Sequence, residues 1–245
     1  MLNLRRSVRL LSNHATRLAD EVRRATSAIV ARERETVMRL MRAAEFRDPE
    51  TGAHIQHMAH YSRLIGSEMG LSPGDQELLL TAAPMHDIGK LGIPDRILYK
   101  PGRLDTEEMA VMRQHAQFGY DILRDSRSNL LHIGAEIAFT HHEKYDGSGY
   151  PRGLRGEEIP LLGRIVAVAD VFDAILSPRP YKQAWSLDRA VAFMRENRGK
   201  HFDPDCVDAL FARWDEVLGI RDNRCSLPSR FDAAGEPVLD NSSCE

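Results

Sequence analysis

Apolar residues near the start of the chain recur at alternating intervals of four and three positions. The seam consists of Leu4, Val8, Leu11, Ala15, Leu18, Val22, Ala25 and Ile29. This is a heptad spacing, and no Pro or Gly interrupts it. It predicts one long helix over residues 1–46, which we interpret as a signalling and dimerisation segment that pairs in parallel with a second copy. A helix folded back onto its own domain is the alternative.

A third interpretation of this Arg-rich helix, that it lies on a membrane surface, is disfavoured because its apolar stripe contains no aromatic residue. The stripe includes alanines, which make a weak seam for a coiled coil. We therefore expect the following domain to assist any pairing of the helix.

The rest of the chain predicts more helices, and no stretch alternates well enough to be a strand. Helices are expected over residues 51–69, 75–85, 105–123, 130–142, 161–176, 187–195 and 204–218. Residues 91–104 and 143–154 are expected to be loops, because they are rich in Gly and Pro. The fold class is therefore all-α, with a helical domain over residues 47–220 and a disordered tail over residues 221–245.

Charge, cysteine content and hydropathy argue against several classes of protein. The 245 residues carry a net charge of -3, so the whole molecule has no strong attraction for a nucleic acid polymer. Residues 1–47 contain 11 Arg and five acidic residues, which leaves an acidic remainder. Three Cys are too few for a disulfide framework, and no apolar run reaches the length of a membrane span, so a cytoplasmic protein is expected.

The chain contains a set of His and carboxylate residues that could bind metal ions. The candidates are Glu50, His54, His86, Asp87, His115, His141, His142 and Asp170. A carboxylate has two oxygens, so Asp87 could bridge two ions. A single His on an apolar helix is usually a core residue, but Asp170 in an apolar helix needs a compensating charge, which a metal would supply.

A ligand set of His and carboxylates without thiolates favours Fe or Mn over a structural zinc. Two or three divalent ions a few ångströms apart form a hydrolytic centre suited to phosphodiesters. Lys90, three residues after Asp87, adds a positive charge that suits phosphate.

Two motifs together carry a family resemblance. The sequence His86-Asp87-Ile88-Gly89-Lys90, combined with the stretch His141-His142-Glu143-Lys144-Tyr145-Asp146-Gly147-Ser148-Gly149-Tyr150-Pro151, resembles the HD-GYP family of HD-domain metal phosphohydrolases. The resemblance covers about residues 47–218. It implies a helical fold and hydrolysis of cyclic di-GMP, a bacterial second messenger, to pGpG and on to GMP.

The resemblance also implies roles for individual residues. Metal ligands would be His54, His86, Asp87, His115, His141, His142 and Asp170, with Asp87 bridging, and Glu50 would complete a third metal site found in some members. Lys90 would contact the scissile phosphate or protonate the leaving oxygen. Arg179 and Lys182 match positions that hold the substrate's phosphates.

The segment Gly149-Tyr150-Pro151 has more than one interpretation. Tyr150 could stack on a guanine of the substrate. In the HD-GYP family this segment is also linked to contacts with diguanylate cyclase (GGDEF) domains. The simplest alternative is a tight turn after a helix, which explains Tyr-Pro poorly.

The sequence thus predicts a metal-dependent cyclic di-GMP phosphodiesterase. One alternative keeps the same centre and changes the substrate to cyclic GMP-AMP. The other is a weakly active scaffold that binds cyclase partners, although a scaffold has no need of seven ligands. In this family the N-terminal helix often joins a receiver or sensor domain, so the chain either stands alone or is part of a longer protein.

Overall fold

The computed structural model describes residues 2–45, 47, 52–177 and 183–222. These residues form helices and contain no β-strand, which confirms the all-α prediction. The α-helices are α1 (Leu2–Glu45), α2 (Gly52–Glu68), α3 (Pro73–Ala82), α4 (Asp95–Leu98), α5 (Thr106–Met112), α6 (His115–Leu123), α7 (Asn129–Thr140), α8 (Leu161–Leu176), α9 (Leu187–Glu196), α10 (Pro204–Ala212) and α11 (Trp214–Arg221).

The chain divides into two compact units. The first contains the N-terminal helical residues up to Arg39, and the second begins at Leu40 and contains the described residues that follow. In the first unit the seam residues Leu18, Val22 and Ile29 are largely exposed. The predicted long helix is present as α1.

The turn from α2 to α3 shows how local sequence sets helix ends. Gly70 has φ +82°, a left-handed conformation that glycine adopts without steric cost. The Leu71 N–H then donates to the Gly66 carbonyl, which closes the C-terminus of α2. The Ser72 side chain accepts a hydrogen bond from Asp75 N–H, and Pro73 occupies the first turn of α3, two residues before the predicted start of this helix.

The core of the second unit surrounds α2, which packs against α3, α8, α10 and α11. Tyr61 of α2 meets Phe172 of α8 edge to face, with ring centroids 5.3 Å apart. Met58 and Ile65 are fully buried on the same helix. Burying these large side chains fixes α2 against α8, the two helices that carry His54 and Asp170.

The predicted helix over residues 75–85 ends earlier than expected. It stops at Ala82, and a 3-10 helix follows over Ala83–Gly92, here called the HD segment. Pro84 lacks an N–H donor and cannot continue the α-helical hydrogen-bond ladder. His86 and Asp87 therefore lie within a 3-10 helix, whereas the sequence had suggested the end of an α-helix.

Two other predicted helices are each divided in the structure. The helix expected over residues 105–123 becomes α5 and α6, separated at Arg113 and Gln114. The helix expected over residues 204–218 becomes α10 and α11, because Arg213 has φ -111° and ψ 40°. In addition, the predicted loop over residues 91–104 contains the short helix α4.

In the part of the chain that the structure describes, no helix is long and apolar enough to cross a membrane. The predicted disordered tail lies almost entirely outside the described residues, which end at Asp222. The proposed boundary between residues 46 and 47 stays a prediction.

Candidate metal centre

The HD segment brings three chemically important side chains to one place. His86 is buried, and its Nδ1 lies 3.0 Å from the Ala83 carbonyl oxygen. Lys90 Nζ lies 2.7 Å from Asp87 Oδ2. Burial alone would raise the pKa of Asp87, but the positive charge of Lys90 holds this pKa well below its ordinary value. Asp87 is therefore an ionised carboxylate.

A close backbone contact joins the HD segment to α6. A Cβ atom on Gly89 would lie 1.9 Å from the His115 carbonyl oxygen and 2.4 Å from the Gly119 nitrogen. A side chain at this position is excluded, so the two backbones can approach as closely as they do. This contact places Asp87 beside His115.

The first ligand group consists of His54, His86 and Asp170, from α2, the HD segment and α8. The Nε2 atom of His54 is 3.3 Å from Asp170 Oδ1, and that of His86 is 3.9 Å from the same oxygen. One donor atom from each residue lies within 4.8 Å of the others, a spacing that a single ion could occupy.

The second ligand group consists of Asp87, His115, His141 and His142. Asp87 Oδ1 is 3.3 Å from His115 Nε2 and 3.7 Å from His141 Nε2. The other oxygen, Oδ2, is 3.1 Å from His86 Nε2, which belongs to the first ligand group. Asp87 thus presents one oxygen to each group, the arrangement that a bridging carboxylate requires.

Hydrogen bonds at Nδ1 orient four of the imidazoles so that Nε2 faces the centre. The Nδ1 atoms of His86, His115 and His141 face backbone carbonyl oxygens, and Nδ1 of His54 faces Asp173 Oδ2 at 2.6 Å. A carbonyl can only accept, so the proton resides on Nδ1 and the Nε2 lone pair points into the centre. This partner arrangement is typical of metal-binding His residues.

Three candidate ligand atoms of the second group are left without a hydrogen bond among the described residues. Asp87 Oδ1, His115 Nε2 and His141 Nε2 are buried and lack a hydrogen-bond partner among the described residues. Leaving such atoms unsatisfied is costly in a folded protein. Burial lowers the pKa of His115 to about 4, which keeps its imidazole in the neutral form that a metal requires. The residues therefore fit a divalent ion.

A family model described as HD domain matches residues 10–206, which include both ligand groups. The chain belongs to the HD domain family. The expected resemblance to its HD-GYP branch is confirmed.

Two curated relatives are similar to this HD domain over most of its length. The cyclic di-GMP phosphodiesterase response regulator RpfG of Xanthomonas campestris is 47% identical over 222 residues, which cover 89% of this chain and 59% of the relative. The 3'3'-cGAMP-specific phosphodiesterase 2 of Vibrio cholerae is 45% identical over 80% of this chain and 37% of the relative. The chain thus spans less than two thirds of either relative.

A solved structure supports the fold of this HD domain. The crystal structure of a cyclic GMP-AMP-specific phosphodiesterase from V. cholerae superimposes with a TM-score of 0.57 at 20% sequence identity. The match covers 76% of this chain and 50% of the solved chain.

The loop of residues 143–154, here called the Gly-Tyr-Pro loop, packs against the second ligand group. Buried Glu143 accepts hydrogen bonds from the Arg152 and Leu154 backbone N–H groups, at 2.8 Å and 3.0 Å, and so closes the loop. A Cβ on Gly149 would lie 2.3 Å from the Lys144 nitrogen. The loop is therefore more than a simple turn, since it is folded back on its own first residues.

Tyr150 is the residue of this loop that reaches the centre. Its ring stacks on His142, with centroids 4.7 Å apart and an interplanar angle of 29°. The peptide bond from Tyr150 to Pro151 is cis. Tyr150 therefore supports a ligand side chain directly, a contact that the sequence did not indicate.

Some predicted site residues lie outside the part of the chain that the structure describes. These are Glu50, Arg179 and Lys182. Their roles stay predictions.

Sequence reasoning anticipated one supporting residue and missed two. Asp173 lies one turn beyond Asp170, a spacing that favours a hydrogen-bond partner of a ligand over a ligand. It contacts His54 Nδ1 at 2.6 Å and His57 Nδ1 at 3.1 Å. The loop-closing hydrogen bonds of Glu143 and the contact of Arg113 with the Tyr150 ring were missed. Glu143 directly follows the two adjacent His residues and Arg113 lies two positions before His115, but neither spacing by itself indicates a function.

Proposed function

We propose that this chain is a metal-dependent phosphodiesterase that hydrolyses cyclic di-GMP to pGpG and on to GMP. The observation that carries the proposal is the sharing of Asp87 between two ligand groups. Two adjacent ion sites with a common carboxylate suit phosphodiester hydrolysis. The name of the relative at 47% identity supports cyclic di-GMP as the substrate. A second messenger of this kind would place the reaction in the cytoplasm.

Divalent ions at the two groups, Fe or Mn by the ligand chemistry, would supply Lewis acidity and lower the pKa of water. The chain's own residues would then bind and orient the substrate. His86, Asp87 and Lys90 lie together along one open cleft. In the HD-GYP pattern Glu50 would add a ligand for a third ion, while Arg179 and Lys182 would hold phosphates.

Lys90 is the candidate proton donor of this cleft. Its ammonium group lies 2.7 Å from the carboxylate that both ligand groups share, so it points at the place where a scissile phosphate would bind. There it would neutralise a phosphate oxygen or protonate the leaving oxygen.

The deciding experiment is turnover of cyclic di-GMP by protein purified without oxygen, with Fe(II) or Mn(II) supplied and bound metal counted in the same sample. We expect hydrolysis to follow metal content and to disappear in Asp87→Ala together with the metal. Metal-loaded protein that leaves cyclic di-GMP intact would overturn the proposal.

Cyclic GMP-AMP is the second candidate substrate, since the relative at 45% identity is named as specific for 3'3'-cGAMP. Competition between the two cyclic dinucleotides in one reaction distinguishes them. At equal concentrations the ratio of the two rates equals the ratio of the kcat/KM values, so the preferred substrate is consumed faster.

We further propose that α1 pairs with α1 of a second copy. Val22 and Ile29 are each 65% exposed on a seam with heptad spacing, and an apolar stripe of this kind is typical of a pairing surface. The double variant Val22→Glu/Ile29→Glu should be monomeric by light scattering. Ser27→Glu, on the opposite side of the heptad, is the matched control and should not change the mass.

A diguanylate cyclase partner is the remaining proposal for the Gly-Tyr-Pro loop. Gly149 and Pro151 would shape the contact, because they set the course of the backbone beside Tyr150. If cyclase binding survived metal removal while no metal supported hydrolysis, the scaffold interpretation would replace the enzymatic one.

A further inference from the structure

Arg113 is an exposed cation beside the candidate metal centre. It lies at the break between α5 and α6, two residues before the ligand His115. Its guanidinium carbon is 5.0 Å from the centroid of the Tyr150 ring. Among the described residues, the guanidinium contacts this ring alone. No acidic side chain or carbonyl oxygen of these residues pairs with it.

Tyr150 connects Arg113 to the centre. The same ring that faces Arg113 stacks on His142 and also lies 6.3 Å, centroid to centroid, from His115. The guanidinium is thus separated from the second ligand group by one aromatic ring. A charged group held on an aromatic face keeps its hydrogen-bond donors available for another partner.

Other arginines in this domain do pair with acids. Arg198 makes two hydrogen bonds to Asp208, and Arg164 bonds to Asp203. Arg124 lies over the Tyr120 ring at 5.5 Å, in an arrangement like that of Arg113, but its Nε is also 3.4 Å from Asp121. Arg113 differs from these because no acidic side chain among the described residues pairs with it, and because it lies next to the candidate metal centre.

A cyclic dinucleotide carries two phosphodiesters, and one centre can act on only one of them at a time. Lys90 faces the position of the scissile phosphate. We propose that Arg113 binds the second phosphate, the one that is not being cleaved, and so selects substrates with two phosphates. This inference rests on the proposed function. The planar guanidinium suits the role, because it can donate two parallel hydrogen bonds to a phosphate.

The competing interpretation is that Arg113 only holds the Tyr150 ring against His142. In that case its removal would disturb the second ligand group and slow the hydrolysis of every phosphodiester. Binding of the second phosphate would instead matter only for substrates that possess one. The two interpretations therefore differ in their dependence on the substrate.

The experiment compares Arg113→Gln with the unchanged protein on two substrates. Cyclic di-GMP has two phosphates, and bis(p-nitrophenyl) phosphate has a single phosphodiester. We expect KM for cyclic di-GMP to rise about ten- to a hundred-fold, the loss typical of a charge-assisted hydrogen bond, with kcat little changed. KM and kcat for bis(p-nitrophenyl) phosphate should stay within about twofold, and metal content should be unchanged.

Two variants complete the design. Arg113→Lys keeps the charge but loses the planar fork, and it should recover part of the affinity for cyclic di-GMP. Arg124→Gln removes another arginine that lies over a tyrosine ring, and neither substrate should be affected.

The other possible results each contradict a stated part of the proposal. Equal losses on both substrates, or a loss of bound metal, would overturn the binding role and support the clamp. Unchanged KM and kcat for both substrates would overturn both roles. If unchanged protein hydrolyses bis(p-nitrophenyl) phosphate but not cyclic di-GMP, the proposed substrate itself is wrong. In that case the same comparison with other two-phosphate substrates decides the role of Arg113.

Discussion

Asp173 Oδ2 lies 2.6 Å from His54 Nδ1, although 119 residues separate the two in the chain. The other oxygen of Asp173 contacts His57, and the Ser177 hydroxyl donates to Oδ2 at 3.0 Å. Asp173 is buried, so its charge depends on these three partners. The carboxylate fixes the orientation of His54 and makes it a better ligand.

Asp173→Asn should therefore weaken metal binding without removing a ligand. We expect the dissociation constant for Mn(II) to rise about ten- to a hundred-fold, as is usual when such a supporting carboxylate is lost. Titration of metal-free protein measures it. The matched control is Asp208→Asn, which removes a surface carboxylate and should leave the constant unchanged. Equal affinities in the two variants would contradict the orienting role.

Lys90→Met should separate chemistry from metal binding. Lys90 contacts Oδ2 of Asp87 but belongs to neither ligand group, so the variant should keep its full metal content. Its kcat should fall about a hundred-fold or more, because a positioned acid typically contributes that much. Metal analysis and initial rates in the same preparation test this. An unchanged kcat would remove Lys90 from the mechanism.

Gly89→Ala should be strongly destabilising, because the new methyl group would overlap the His115 carbonyl oxygen. We expect the free energy of unfolding to fall by about 3 kcal/mol or more, since neither backbone can move without disturbing packed neighbours. Gly219→Ala is the control. Nothing lies within 4 Å of that Cβ, and Ala is the better helix former, so α11 should be stabilised by up to about 1 kcal/mol. Similar unfolding curves for the two variants would contradict the close contact.

His201 should make the stability of the metal-free protein depend on pH. Burial, followed by the charge of Lys144, lowers the pKa of His201 to about 4. The unfolded chain then binds more protons than the folded one between about pH 6.5 and pH 4. Stability is complete above the unfolded pKa and falls as the pH drops through this window. Urea unfolding of His201→Gln should show a shallower decline over the same range, and a parallel decline would exclude this contribution.

Much of the fold could be predicted because its signals are local. The spacing of Leu18, Val22 and Ile29 indicates a helix by itself, and Ser72-Pro73 marks a helix start in any context. The break at Arg113 could not be predicted, because apolar positions continue through it. His115 Nδ1 bonds to the Met112 carbonyl there, and this side-chain contact accompanies the change of helix.

The candidate ligands could be collected from the sequence, but their division into two groups could not. That His54 faces Asp170 while His115 faces Asp87 depends on how α2 packs on α8 and how α6 packs on the HD segment. These are contacts between distant parts of the chain. The contact between Arg113 and Tyr150 is of the same kind, and no pattern in either motif indicates it.

The close approach of Gly89 to α6 has a consequence for control of the centre. It joins Asp87 and His115 into one rigid block, since neither backbone can shift without the other. His54 stands outside this block, on α2, and is the first of the described ligands to follow α1 along the chain. A displacement of α2 would therefore move His54 relative to the other ligands of the first group, while Asp87 and His115 would keep their spacing.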